Sequence, residues 1–191
     1  MSSPNSNKRI YLSPPHLGVL ERELVSEALS SNWIAPSGPF IKQFEHDLSK
    51  ILQVNHCLSL ASGSAALHLA LSLVNTETND LVISQAHTFV SPINAISYLK
   101  AKPILIDSEP QTWNMDPNIL EYALKRLERQ GNLKRVKAIL PVHMYGMPAA
   151  IEEILSIANR FEIPVIEDAA ESLGSLHNNK PLGSFGLLGA I

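Results

Sequence analysis

Residues 56–191 predict a parallel, doubly wound α/β sheet with helices on both faces. Short apolar runs of strand length alternate there with amphipathic helical patterns. Hydrophobic residues make up 45% of the 191 positions and charged residues 17%, a core-rich balance rather than a disordered one. Residues ahead of the alternation carry two helical patterns and no strand, which divides the chain into an N-terminal helical segment, 1–55, and an α/β domain, 56–191.

In "GVLERELVSEALSSN" Val19, Leu20, Leu24, Val25, Ala28 and Leu29 recur at helical spacing. After the loop "WIAPSGP", the stretch "FIKQFEHDLSKIL" repeats that spacing through Phe40, Ile41, Phe44, Leu48 and Leu52. "HCLSLA" (56–61) reads as the first strand and "SAALHLALSLV" (64–74) as the helix after it. "LVIS" (81–84) is a strand, and "SPINAISYLK" (91–100) a helix with Pro92 tolerated in its first turn. "PILID" (103–107) is a strand. "DPNILEYALKRLERQG" opens on an Asp116 cap, places Pro117 at the first helical position and stops at Gly131. "VKAILPV" (136–142), "AAIEEILSIANRF" and "IPVIE" complete the series as strand, helix and strand.

Composition narrows the function classes. A net charge of −3 without a basic run argues against nucleic acid as the partner. The single cysteine, Cys57, excludes an internal disulfide and suits a reducing compartment. The polar, Pro-rich start "MSSPNSNKRIYLSPP" has no apolar signal core, and no run approaches the roughly 20 apolar residues of a membrane span. A cytoplasmic protein with no membrane partner and no metal site is expected.

In such sheets ligands bind beyond the carboxyl ends of the strands. The residues there are Ser62–Ser64, Ser84–Phe89, Asp107, His143–Gly146 and Asp168–Glu171. Ser62-Gly63-Ser64 opens a helix, where backbone N–H groups and the helix dipole favour an anion, Gly63 permits close approach and two hydroxyls add donors. An N-cap serine alone would look the same. Neither G-x-G-x-x-G nor G-x-x-x-x-G-K-[ST] occurs, which removes the main support for a dinucleotide or P-loop site. Phe89 can stack on a planar ring or pack under its loop. His143 reads as a hydrogen-bonded structural histidine. Asp168, a carboxylate where an apolar strand meets its loop, suits a ligand that carries both an anionic group and a cationic ring nitrogen. Pyridoxal 5'-phosphate (PLP) has both, and an aspartate keeps its pyridine nitrogen protonated.

The ordered series "SGSAALHLAL", "HTFVSPINAI", "AKPILID", "WNMDPNILE", "AILPVHMYG", "PVIEDAAESLGS" and "KPLGSFGLLGA" resembles the DegT/DnrJ/StrS-type PLP-dependent nucleotide-sugar aminotransferases from residue 11 to residue 191. "YLSPPHLG" with "SNWIAPSGPF" is most similar to the branch acting on UDP-linked 4-keto-6-deoxyhexoses. The resemblance implies the large domain of the fold type I PLP-dependent transferases, truncated, without the C-terminal small domain. It implies that Ser62, Gly63 and Ser64 bind the phosphate, that Phe89 lies against the ring and that Asp168 pairs with the pyridine nitrogen. Glu171 stands where many members have Gln, near the PLP hydroxyl, and Ser64 stands for a commoner Thr.

The family's Schiff-base lysine follows the segment equivalent to "GSFGLLGAI". None of Lys100, Lys102 and Lys180 fits that role, so no catalytic residue is expected in this chain and the lysine is expected beyond Ile191. The chain then reads as an N-terminal part, inactive alone, of a dimeric enzyme in polysaccharide biosynthesis. That enzyme takes an amino group from an amino acid, glutamate in the family, to a nucleotide-linked keto-sugar. The loop Trp33–Gly38 would reach a neighbouring site in the dimer. A sugar dehydratase of the same family, with His for the lysine, and a non-catalytic regulatory relative are the alternatives, and a nucleotide-binding oxidoreductase is disfavoured.

Overall fold

The computed structural model describes Arg9, Tyr11 and residues 14–191. Leu12 and Ser13 of "YLSPPHLG" lie outside the described residues. The chain divides between Gln43 and Phe44 into two compact units, a division that falls inside the second helix.

In the first unit, helix α1 (Val19–Ser30) starts where the Gly18 N–H meets the Glu21 carboxylate at 2.7 Å. It ends at Ser31, whose N–H and hydroxyl both return to the Glu27 carbonyl. No α1 residue is buried. Helix α2 (Pro39–Leu52) carries the chain into the second unit.

The second unit is built on parallel strands. β1 (Leu81–Gln85) lies between β2 (Lys102–Ile106) and β3 (Val136–Leu140). β1 is buried along its whole length, which is why "LVISQ" shows no polar alternation. β2 is the edge, where Pro103, with no N–H to donate, is tolerated. β4 (Ile166–Asp168) lies beside β3 through the bridges Ile139–Val165 and Val142–Asp168. A short antiparallel ribbon, β5 (Leu176–His177) with β6 (Lys180–Pro181), turns at Asn178 and Asn179, both at positive φ. β7 (Leu188–Ala190) then pairs in parallel with β4.

Helices cover both faces, as the alternation predicts. Ile83 and Ile139 point to α5 (Pro117–Arg129) and α6 (Ile151–Arg160), in a core with Leu120, Leu124, Ile151 and Ile154. Val82, Ala138 and Leu140 point the other way, to α3 (Gly63–Leu73) and α4 (Val90–Tyr98), in a core with Leu67, Leu71 and Ile96. Each fully buried Leu or Ile contributes roughly 1.5–3 kcal/mol, so the two cores hold both helix layers to the sheet. The Asp116 carboxylate caps α5 as its sequence predicts, accepting the N–H groups of Asn118 and Ile119.

One element differs. Residues 56–61 form no strand. Leu58 and Leu60 face solvent, and Ser59 gives its N–H and hydroxyl to the Glu45 carboxylate at 2.8 and 2.9 Å instead of to a ladder. Alternation alone does not make a strand where no neighbour pairs with it. Among the described residues no helix is long and apolar enough to cross a membrane, and no group of His, Cys, Asp and Glu is placed to hold a metal ion.

Candidate active site

A cavity of about 420 Å³ opens at the carboxyl ends of the strands, within the size range of small-molecule sites. Gly63 from α3, Phe89 and Ser91 from the start of α4, His143 and Tyr145 beyond β3, Asp168 at the end of β4 and Glu171 beyond it line the cavity. Four of the six sequence-predicted site residues, Gly63, Phe89, Asp168 and Glu171, therefore share one wall. Ser62 and Ser64, the neighbours of Gly63 in the chain, do not line it. Asp107 is not on the wall; its carboxylate accepts the Ser108 N–H. Lys100, Lys102 and Lys180 are absent from it too, and Lys180 rests over the Phe185 ring at 4.5 Å.

Ser62 is the N-cap of α3, its hydroxyl accepting the Ala65 N–H at 3.2 Å. The N–H groups of Gly63 and Ser64 in the first turn are left without a protein acceptor among the described residues. A Cβ on Gly63 would meet nothing within 4 Å, so this side of the first turn is open. The Ser64 hydroxyl bonds that of Ser91 at 2.9 Å, which extends the polar surface from α3 to α4. Phe89 is 71% exposed, its ring free to meet a ligand.

Two buried amides hold the loops that carry the wall. Gln85, at the end of β1, accepts the N–H groups of Met115 and Val142 and donates to the His87 carbonyl at 2.8 Å. Asn114 accepts the Met144 N–H and donates to the Met147 carbonyl, both at 3.0 Å. Tyr145 and Gly146 turn in the left-handed region, at φ 54° and 76°. The Tyr145 N–H donates to the Glu171 carboxylate at 2.7 Å.

Asp168 is 5% exposed, and its carboxylate accepts one N–H, that of Ala170 at 3.2 Å. Burial pushes its carboxyl above the usual range, the Ala170 N–H and the nearby His143 ring oppose this, and the Glu171 carboxylate adds to the rise. No Lys or Arg lines the cavity among the described residues. Glu167, one residue earlier and fully buried, is opposite in character. It accepts His143 Nε2 at 2.9 Å and the N–H groups of Gly183, Phe185 and Gly186 at 3.0, 2.6 and 2.6 Å. Burial works against its charge, but the His143 bond and these backbone donors outweigh it and hold its carboxyl below the usual range.

Sequence reasoning placed Gln85 in the cavity-side stretch Ser84–Phe89 without a role of its own, and missed Asn114, Ser91 and the backbone donors to Glu167. The available signal was the polar side chain inside an apolar strand, which must find partners when buried.

The DegT/DnrJ/EryC1/StrS aminotransferase family matches residues 15–191. EpsN of Bacillus subtilis (strain 168) is 48% identical over 96% of this chain and 47% of its own length. A GDP-perosamine synthase of Caulobacter vibrioides is 36% identical over 93% of this chain and 46% of its own. Spr1654 of Streptococcus pneumoniae, solved in PLP and PMP forms, superposes with a TM-score of 0.82 at 28% identity, over 94% of this chain and 47% of that one. The chain spans about half the length of the curated relatives it matches.

Proposed function

The chain belongs to the DegT/DnrJ/EryC1/StrS aminotransferase family, and on that premise we propose that the full-length protein is a PLP-dependent aminotransferase acting on a nucleotide-linked keto-sugar. Its product is the amino-sugar, its amino donor is glutamate, and its place is in polysaccharide biosynthesis. The active form is a homodimer in the cytoplasm, to whose neighbouring site the Trp33–Gly38 loop contributes.

The observation that carries this reading is the buried Asp168 carboxylate on a cavity wall without Lys or Arg among the described residues. A buried carboxylate without a counter-charge is costly unless a ligand supplies one. A ring nitrogen that becomes cationic meets that need. Gly63 lines the same cavity, and its free N–H, with that of Ser64 next to it in the first turn of α3, suits a phosphate. The residues therefore fit PLP. Asp168 would hold the ring nitrogen protonated, Ser62, Gly63 and Ser64 would hold the phosphate, Phe89 would lie against the ring and Glu171 would reach its hydroxyl. When bound, PLP supplies an electron sink for the substrate carbon.

The test uses the full-length protein with PLP, glutamate and a panel of UDP- and GDP-linked 4-keto-6-deoxyhexoses, followed by mass spectrometry. The reading expects a glutamate-dependent amino-sugar nucleotide. A deoxygenated sugar without nitrogen, or no turnover across the panel, would overturn it.

A further inference from the structure

Glu167 is the buried ionisable group that the proposed chemistry leaves unused. It is 0% exposed and does not line the cavity, so a ligand does not reach it. It reaches His143, which lines the cavity and is 1% exposed. His143 Nδ1 accepts the Ala149 N–H at 3.0 Å, and Nε2 lies 2.9 Å from the Glu167 carboxylate. A ring nitrogen that accepts an N–H carries no proton, which places the ring proton on Nε2, directed at Glu167. The main-chain N–H of His143 donates to the Asp168 carbonyl at 3.0 Å. Both edges of the ring and its backbone are thus committed to the protein.

We propose that Glu167 and His143 are positioning residues of the active site: Glu167 fixes His143 as an uncharged Nε2–H imidazole in the wall beside Asp168 and ties that wall to the Gly183–Gly186 turn. The proposal rests on the cofactor reading of the cavity. Its logic is electrostatic. A cationic ring next to Asp168 would compete with a ligand's ring nitrogen for the one carboxylate that waits for it. An uncharged ring leaves Asp168 to the ligand. With both nitrogens bonded to protein, His143 has no free site from which to give or take a substrate proton.

The identity of Glu167 follows from its donors. Both oxygens of a carboxylate accept, and here each accepts two bonds. A carboxamide has one accepting oxygen and would turn its NH2 toward N–H groups. At position 143 the reverse holds. Glutamine offers an NH2 donor group and an accepting oxygen, the two roles that the uncharged imidazole plays.

The test has two readouts on the full-length protein. In the first, the cofactor-free protein carries 15N-labelled histidine, and two-bond 1H–15N correlation spectra report the tautomer, with His143→Gln assigning the signal. The Nε2–H pattern is expected; an Nδ1–H or doubly protonated ring overturns the proposal. In the second, His143→Gln and His143→Ala are compared for PLP affinity by equilibrium dialysis and for kcat and KM. His143→Gln should bind PLP within about threefold of wild type and keep most of its kcat, while His143→Ala should bind about tenfold more weakly. A general acid or base would lose about 10²–10⁴-fold in kcat in both variants, and that result contradicts a positioning role. Wild-type protein that binds no PLP would bring down the cofactor reading itself, whereas a wrong tautomer in a PLP-binding protein brings down this pair alone.

Discussion

Glu167 and Asp168 follow one another on β4, and their carboxylates occupy opposite settings: the first accepts four hydrogen bonds, the second accepts one. Successive strand residues face opposite sides, so one carboxylate is turned into the turn Gly183–Gly186 and the other into the cavity. The same contrast sets their charges. Saturation keeps Glu167 ionised, and burial with a single donor makes ionised Asp168 a cost to the fold.

Glu167 stabilises the protein at neutral pH. Its folded carboxyl titrates below the unfolded value of about 4.3, so its contribution is complete above that value and is lost as pH falls through the folded one. Glu167→Ala leaves His143 and three backbone donors without their acceptor and should cost at least about 3 kcal/mol in urea unfolding at pH 7. The difference between wild type and variant should narrow as the pH is lowered through that window.

Asp168 has the opposite sign. Its folded carboxyl is raised, so the folded state holds the proton more tightly than the unfolded one. Cofactor-free protein then loses stability as pH rises from about 3.9 to the folded value. Asp168→Asn removes that loss. Thermal melts of the cofactor-free variant at pH 7 should lie above wild type, and an equal or lower melting temperature would contradict the assignment.

Gly146 holds two site loops together. Its φ is +76°, and a Cβ there would sit 2.8 Å from the Glu171 carbonyl oxygen. Gly146→Ala should destabilise by about 1–3 kcal/mol in denaturant unfolding. It should also weaken the Tyr145–Glu171 bond, seen as faster hydrogen exchange at the Tyr145 amide.

Asp116 provides a contrast away from the cavity. Asp116→Ala removes the cap of α5 and should cost about 1 kcal/mol, while PLP affinity stays at the wild-type value.

Much of the fold is written locally and was legible there. The Asp116 cap with Pro117 delimited α5, and the buried runs of β1 and β3 read as strands because both of their faces are covered. The expected strand at 56–61 failed because a strand depends on a partner that its own residues do not specify. The end of β4 drew attention to Asp168 because an acid closes an apolar run at the cavity side of a parallel sheet. The tasks of Glu167 and Ser64 were not legible. The donors to Glu167 come from backbone N–H groups 16 to 19 residues later and from His143, and Ser64 meets Ser91 only because α3 and α4 begin side by side. Backbone donors leave no trace in residue identity.

The most direct test of the central claim is equilibrium dialysis of PLP against the cofactor-free full-length protein and its Asp168→Asn variant. Loss of one charge-assisted hydrogen bond to the ring nitrogen predicts saturable wild-type binding that weakens about 10- to 100-fold in the variant. Equal affinity for PLP in the two proteins would contradict the pairing of Asp168 with the cofactor ring.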